Sequence, residues 1–322
     1  MMLLRRNGWV ASLALVFATL AVVTKLIQPA YHADDFASLA GAALPYAFAV
    51  AAQAVVVIGG GIDLSVAATM ALTSVTAARL MGGTGEEAAL WVVPFVLLLG
   101  AGLGALNGIL IVLTRVPDIV VTLATLFMFQ GAALLVLPAP GGGAAEWLKG
   151  LIVGTVALPL PEAITQWIPK ALIVLVVSLC VVWIPLRRSR LGLSIYAVGS
   201  SELAAFRSGG GVVRTKVLAY AIGGLFAAMG GLSLTLATGI GAPIPGPYLM
   251  ASVAAVVLGG VVLGGGRGGL LGPIIAVFIL RLVRTDLALL SLDPNVTTII
   301  EGTIMVVVVM LGAWMAMRGA RR

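Results

Sequence analysis

Apolar runs long enough to cross a bilayer recur along nearly the whole of this 322-residue chain. About 20 helical residues, rising 1.5 Å each, cover the roughly 30 Å of hydrocarbon. Candidate spans lie at 9–27, 38–58, 64–80, 88–113, 119–137, 170–186, 217–238, 250–263, 270–283 and 296–317. Backbone polar groups find no water in lipid, so only helices or closed barrels cross it. Continuous rather than alternating apolar runs select helices. Hydrophobic residues make up 61% of the chain and charged residues 10%, whereas soluble domains carry about 25% charge. There is too little polar surface here to cover a water-soluble globule. We read residues 1–322 as one transmembrane domain, an all-α polytopic membrane protein of about ten transmembrane helices. Residues 9–27 exceed the roughly 7–15 apolar residues of a secretory leader and read as the first span.

Basic residues orient the chain. With the N-terminus in the cytoplasm, alternation puts 13 of the 19 Lys and Arg on the cytoplasmic side, among them Arg115, Arg187, Arg188, Arg190, Arg207, Arg214, Lys216 and Arg267. Both termini are then cytoplasmic, although eight spans would also leave them there. The net charge of +7 follows from this bias, and no basic stripe interleaved with aromatics indicates nucleic-acid binding. A single Cys180 and a single His32 leave no disulfide and no Cys/His metal site. No nucleophile–base set is legible, and no P-loop for ATP. His32 reads as a solvated loop residue.

One run is interrupted. In "VVVIGGGIDLSV", residues 55–66, three glycines and an aspartate break a helix at membrane depth. Irregular backbone is tolerated there only when buried in protein or lining a watery cavity. Asp63 is costly in hydrocarbon and should face the bundle interior or the inner surface. Either Asp63 or Ser65 also suits a helix cap, and a cap does not exclude a broken helix beside a translocation route. A second glycine-rich break, "LGGVVLGGGRGGLLG" at 258–272, follows late in the chain, as in transporters built from internal repeats. "GALNG" and "GGLFAAMGG" read as close-packing glycines. Glu301 suits either a buried functional acid or the favoured N-terminal end of the last helix. Residues 187–216, the most polar inner connection, form a candidate functional loop.

Four stretches, "GGGIDLSVAATMALTSVTAA", "GALNGILIVLTRVPDIVVTLATLFMFQGAALL", "RSRLGLSIYAVGSSELAAFRSGGGVVRTKVLAYAIGGLFAAMGGL" and "ASVAAVVLGGVVLGGGRGGLLGPIIA", together resemble the permease subunit of ribose-type ABC sugar importers. The motifs fall in family order over roughly residues 35–312. The resemblance implies the type II-like permease fold with broken or re-entrant segments, in a bacterial inner membrane. It implies a homo- or heterodimer of permeases, a cytoplasmic ATP-binding cassette ATPase and a periplasmic solute-binding protein. ATP and Mg would be bound by the ATPase, leaving no cofactor in this chain and no enzymatic step of its own.

Residues 187–216 then become the cytoplasmic coupling loop. Its docking helix comprises Ser201, Glu202, Leu203, Ala204, Ala205, Phe206, Arg207, Ser208 and Gly209. Ser200 or Ser201 can cap that helix with Glu202 in its first turn, and glycines end it. Gly59, Gly60, Gly61, Asp63 and Ser65 shape the break near the central route, with Asn107, Thr122, Thr125 and Gln130 as further polar candidates. Departures from the pattern are Leu249 and Ala251 where relatives often carry acids, Asp118 at a commonly aromatic position, and Gln130 where Arg is frequent. The expected cargo is a sugar or sugar-like solute; a nucleoside or polyol is the alternative. An ion-coupled secondary transporter would have only Asp63 and Glu301 for coupling.

Overall fold

A computed structural model of the chain describes residues 8–156, 161, 165–244 and 246–320. Thirteen helices lie among the described residues, labelled here in chain order: α1 Gly8–Ile27, α2 Ala33–Ile58, α3 Val66–Met81, α4 Ala89–Thr114, α5 Asp118–Val136, α6 Glu146–Lys149, α7 Lys170–Arg188, α8 Arg190–Ser200, α9 Glu202–Arg207, α10 Val212–Thr238, α11 Tyr248–Leu258, α12 Leu271–Leu289 and α13 Pro294–Ala320. The protein is helical and membrane-embedded. Among the described residues six helices (α1, α2, α4 extended back to Glu86, α5, α7 and α10) are long and apolar enough to cross a bilayer.

The other expected spans are also helical, but they differ from the sequence reading in length or charge. Helices α3 and α11 have 16 and 11 residues, about 24 and 17 Å at 1.5 Å per residue, short of the hydrocarbon thickness. Both shortfalls arise where glycines end or begin the helix. Helix α12 carries Arg281, Arg284 and Asp286.

Helix α2 runs through the centre and is buried along almost all its length. Its small residues, "AGAALPYAFAVAAQAVVV", let neighbours approach from every side. Helix α10 packs on α2, α3 and α4. Against α4 the two backbones touch. A Cβ on Gly104 would meet the Tyr220 carbonyl, and one on Gly224 would meet the Gly100 carbonyl. The glycines of "GALNG" and "GGLFAAMGG" are therefore contact residues, as the sequence suggested. In α7, a π turn over Leu179–Trp183 precedes Pro185, whose ring removes a backbone donor and forces the local rearrangement.

The 187–216 connection is not an irregular loop. It holds the two helices α8 and α9. Ile195 and Val198 of α8 are buried against the bundle, so the polar residues there mark a helix face exposed to water rather than absent structure. His32 is exposed at the start of α2, its N–H donating to Asp35 Oδ2 at 2.7 Å. We call the end carrying 59–65, 115–117, α9 and 259–270 the break end, and the opposite end, carrying Asp34, 139–143 and 239–242, the far end.

Candidate functional site

The break after α2 is a closed structure, not a frayed end. Gly60 adopts φ 86°, the left-handed conformation that glycine enters without a Cβ penalty. Gly59 N–H donates to Val55 O at 3.2 Å, Gly60 N–H to Val57 O at 2.9 Å and Gly61 N–H to Val56 O at 3.1 Å. The last two bonds form a Schellman motif. The fourth orphan acceptor, Ile58 O, receives a bond of 2.8 Å from Gly266 N–H in the second break. All four terminal carbonyls of α2 are thus satisfied without water, as the membrane requires.

Side chains then fasten the turn into α3. Ser65 N–H and Oγ both donate to Asp63 Oδ1, at 2.8 and 2.7 Å, and Asn107 Nδ2 from α4 donates to Ser65 Oγ at 2.8 Å. Leu64 N–H donates to Thr122 Oγ1 of α5 at 3.1 Å, and that hydroxyl lies 3.2 Å from Ile62 O. Asp63 is therefore the cap-like acceptor, an Asx turn, while Ser65 occupies the N-cap position without capping through its own oxygen. Beside them Tyr220 OH donates to Asp118 Oδ2 at 2.8 Å. A Cβ at Gly61 would lie 2.5 Å from that hydroxyl and 2.6 Å from Asp118 Oδ2, so glycine is needed there for space. Asp63 is 2% exposed, and Ser65, Asn107 and Thr122 are 0% exposed. The cluster is buried and closes the break.

The second break repeats the first. Gly259 N–H donates to Ala255 O, Gly260 N–H to Val257 O and Val261 N–H to Val256 O, at 2.8, 3.0 and 3.1 Å, with Gly260 at φ 82°. Leu258 O accepts from Trp9 Nε1 at 2.8 Å. The matching residues are "VVVIGG" at 55–60 and "AVVLGG" at 255–260, a register that aligning "GGGIDLS" with "GGGRGGL" conceals.

Both breaks meet α8 at one backbone crossing. Gly199 lies so close that an added Cβ would strike Ile58 O and stand 2.7 Å from Gly266 N. A Cβ on Gly265 would stand 2.6 Å from Gly199 O and 2.8 Å from Gly60 Cα. Two residues beyond Gly199, Ser201 Oγ accepts from Ala204 N–H at 3.3 Å and caps α9. Gly210 N–H to Ala205 O (2.9 Å) and Gly209 N–H to Phe206 O (3.0 Å) close its other end, with Gly209 at φ 77°. Glu202 pairs with Lys216 of α10 at 2.7 Å. Leu203 and Phe206 are exposed and border a groove of about 790 Å³ that also includes Arg115, Asp118 and Val213.

Of the expected site residues, Gly59, Gly60, Gly61, Asp63, Ser65, Asn107 and Thr122 come together. Thr125 sits one turn further along α5, its hydroxyl donating to Thr122 O at 3.2 Å. Gln130 lies half-buried beyond it on α5 and does not join the cluster. Residues 201–209 form α9 and its cap. Sequence reading missed Gly199, Gly265, Gly266 and the Asp118–Tyr220 pair. The departure at Asp118 was the signal for that pair, since an acid opening an apolar membrane helix calls for a donor.

A family model described as branched-chain amino acid transport system / permease component matches residues 36–309. The chain is also 29% identical over 320 residues to proteins named autoinducer 2 import system permease protein LsrD, from Escherichia coli strain HS, Escherichia coli strain K12 and Shigella flexneri. The match covers 94% of this chain and 92% of each relative. No solved structure matches it.

Proposed function

The chain belongs to this family of transport-system permease components, and on that premise we propose that it carries a sugar or sugar-like small polar solute into the cytoplasm as the membrane permease of an ATP-binding cassette importer. The amino acids in the family description and the autoinducer 2 in the relatives' name do not by themselves settle the cargo. The full set of about ten spans belongs to this reading. So do cytoplasmic termini and a cytoplasmic break end, which gather Arg115, Arg187, Arg188, Arg190, Arg207, Arg214, Lys216 and Arg267 on one side. ATP and Mg are then handled by a partner ATPase docking on α9, where Leu203 and Phe206 offer an apolar face. A solute-binding protein meets the far end, and a second permease subunit completes the route.

The observation that carries this reading is the crossing at Gly199. Helix α9 begins three residues beyond it, after Ser200 and the capping Ser201, and both helix breaks rest on it. A displacement of α9 by ATPase closure reaches both breaks through backbone contact, with no soft side chain between. Gly59, Gly60, Gly61, Asp63 and Ser65, with Asn107, Thr122 and Thr125, fix the first break's shape during that motion, and Gln130 lies further along α5. A ligand shifts such an equilibrium only by its difference in affinity for the two states, so the permease holds its solute weakly and the binding protein selects it.

Deleting 201–208 from the complete transporter should abolish co-purification of the ATPase while the chain still inserts in the membrane. An ATPase retained at wild-type stoichiometry after that deletion removes the docking role.

A further inference from the structure

At the far end a cavity of about 560 Å³ opens between α2, α10, α11, α12 and residues 152–154. That lies within the roughly 300–1,000 Å³ of small-molecule sites. Its polar and aromatic lining is Asp34, Ser38, Tyr46, Thr238, Tyr248 and Arg281. None of these figures in the break-end cluster.

Arg281 sets the chemistry. Its neighbour Arg284 is neutralised by Glu301 at 2.8 Å, whereas among the described residues no carboxylate lies within ion-pair reach of Arg281. Its Nε is buried without a hydrogen-bond partner. The guanidinium instead lies over the Tyr46 ring, 5.0 Å from the centroid, a cation–π contact that holds it in place while Nε is left without an acceptor. An ionisable side chain in a membrane helix is costly unless it has work facing a cavity. Tyr248 stands beside Tyr46 with ring centroids 4.4 Å apart and planes inclined 44°, so the wall offers aromatic faces next to a cation that no described carboxylate neutralises.

We propose that this cavity is the permease's outward solute subsite, shaped for a neutral polyhydroxylated molecule. The Arg281 donors take hydroxyl or ring oxygens, Asp34 accepts from hydroxyls, and the apolar C–H face of the solute lies against the tyrosines. The Asp34 carboxylate on the same wall disfavours an anion. This assignment rests on the importer reading, which puts the far end toward the solute-binding protein.

The test is uptake by the complete transporter in proteoliposomes, with labelled D-ribose, ribitol and D-gluconate as probes. Arg281→Gln and the cavity-filling Thr238→Trp should each lower uptake of the neutral probes about tenfold, roughly one charge-assisted hydrogen bond. Arg281→Lys should restore part of it. All three variants should keep wild-type ATPase co-purification and elute as single species. Wild-type ribose or ribitol uptake in both Arg281→Gln and Thr238→Trp overturns the subsite. A wild-type transporter that carries gluconate in preference, or neither neutral probe, overturns the solute class. Accumulation without nucleotide, by contrast, falls on the importer reading itself.

Discussion

The two helix breaks close in the same way and are held in different ways. Each ends a Val-Val-containing helix with a Gly-Gly Schellman turn, and in each all four terminal carbonyls find donors. The first break is then fastened by a buried side-chain network running from Asp63 to Ser65 and Asn107, with Thr122 from α5. The second is tied by two separate side-chain donors rather than a linked network, Trp9 Nε1 to Leu258 O and Tyr196 OH to Gly268 O, both at 2.8 Å. It turns on Gly265, Gly266 and Gly268 at φ 80°, 71° and 135°, and on backbone bonds such as Val262 N–H to Arg267 O at 3.2 Å. One break is specified by polar side chains from the turn itself and from two helices, the other chiefly by the freedom of glycine. A side-chain network resists displacement in several directions at once, so the first break is the stiffer of the two.

The comparison breaks most severely at the crossing the two share. Gly199→Val pushes a side chain against Ile58 O and Gly266 N, an overpacking worth about 3 kcal/mol or more. It should give the lowest melting temperature of the purified protein and no ATP-driven uptake; a melting curve like wild type would show that the breaks do not depend on this contact. A smaller loss should come from the first break alone. Asp63→Ala leaves the Ser65 donors unpaired at a cost of about 2 kcal/mol, while Asp63→Asn keeps an acceptor and should recover most of it. Equal melting of the Ala and Asn variants would mean that Oδ1 does not hold the turn. The smallest effect belongs to the second break, where Trp9→Phe orphans Leu258 O for about 1 kcal/mol. If Trp9→Phe melts below Asp63→Ala, the ranking of the two breaks is reversed.

What the sequence disclosed follows the same division. Asp63 and the glycine triplet were legible because lipid permits so few reasons for an acid or a bend. Asn107 and Thr122 were legible as polar residues within apolar runs. Gly199 was not, because it sits in a polar stretch where glycine is unremarked, and its significance depends on two backbones some 60 to 140 residues away. Helix α8 was read as loop because its exposed polar face outweighed Ile195 and Val198 in composition. The full set of spans stayed open for a related reason: α3 and α11 are cut short by their own glycines, and the charges on α12 mask its apolar face. Tyr46, Tyr248 and Arg281 lie on three different helices, and no spacing along the chain brings them together.

The glycine seam between α4 and α10 has a mechanical corollary. Where main chains touch through Gly100, Gly104 and Gly224, there is no layer of side chains to shear, and sliding one rod along the other would drive carbonyls into neighbouring backbone. The pair moves as one beam. Lys216 near the start of α10 pairs with Glu202, so under the proposed docking role a pull on the six-residue helix α9 is passed to this beam, a small handle on a long arm.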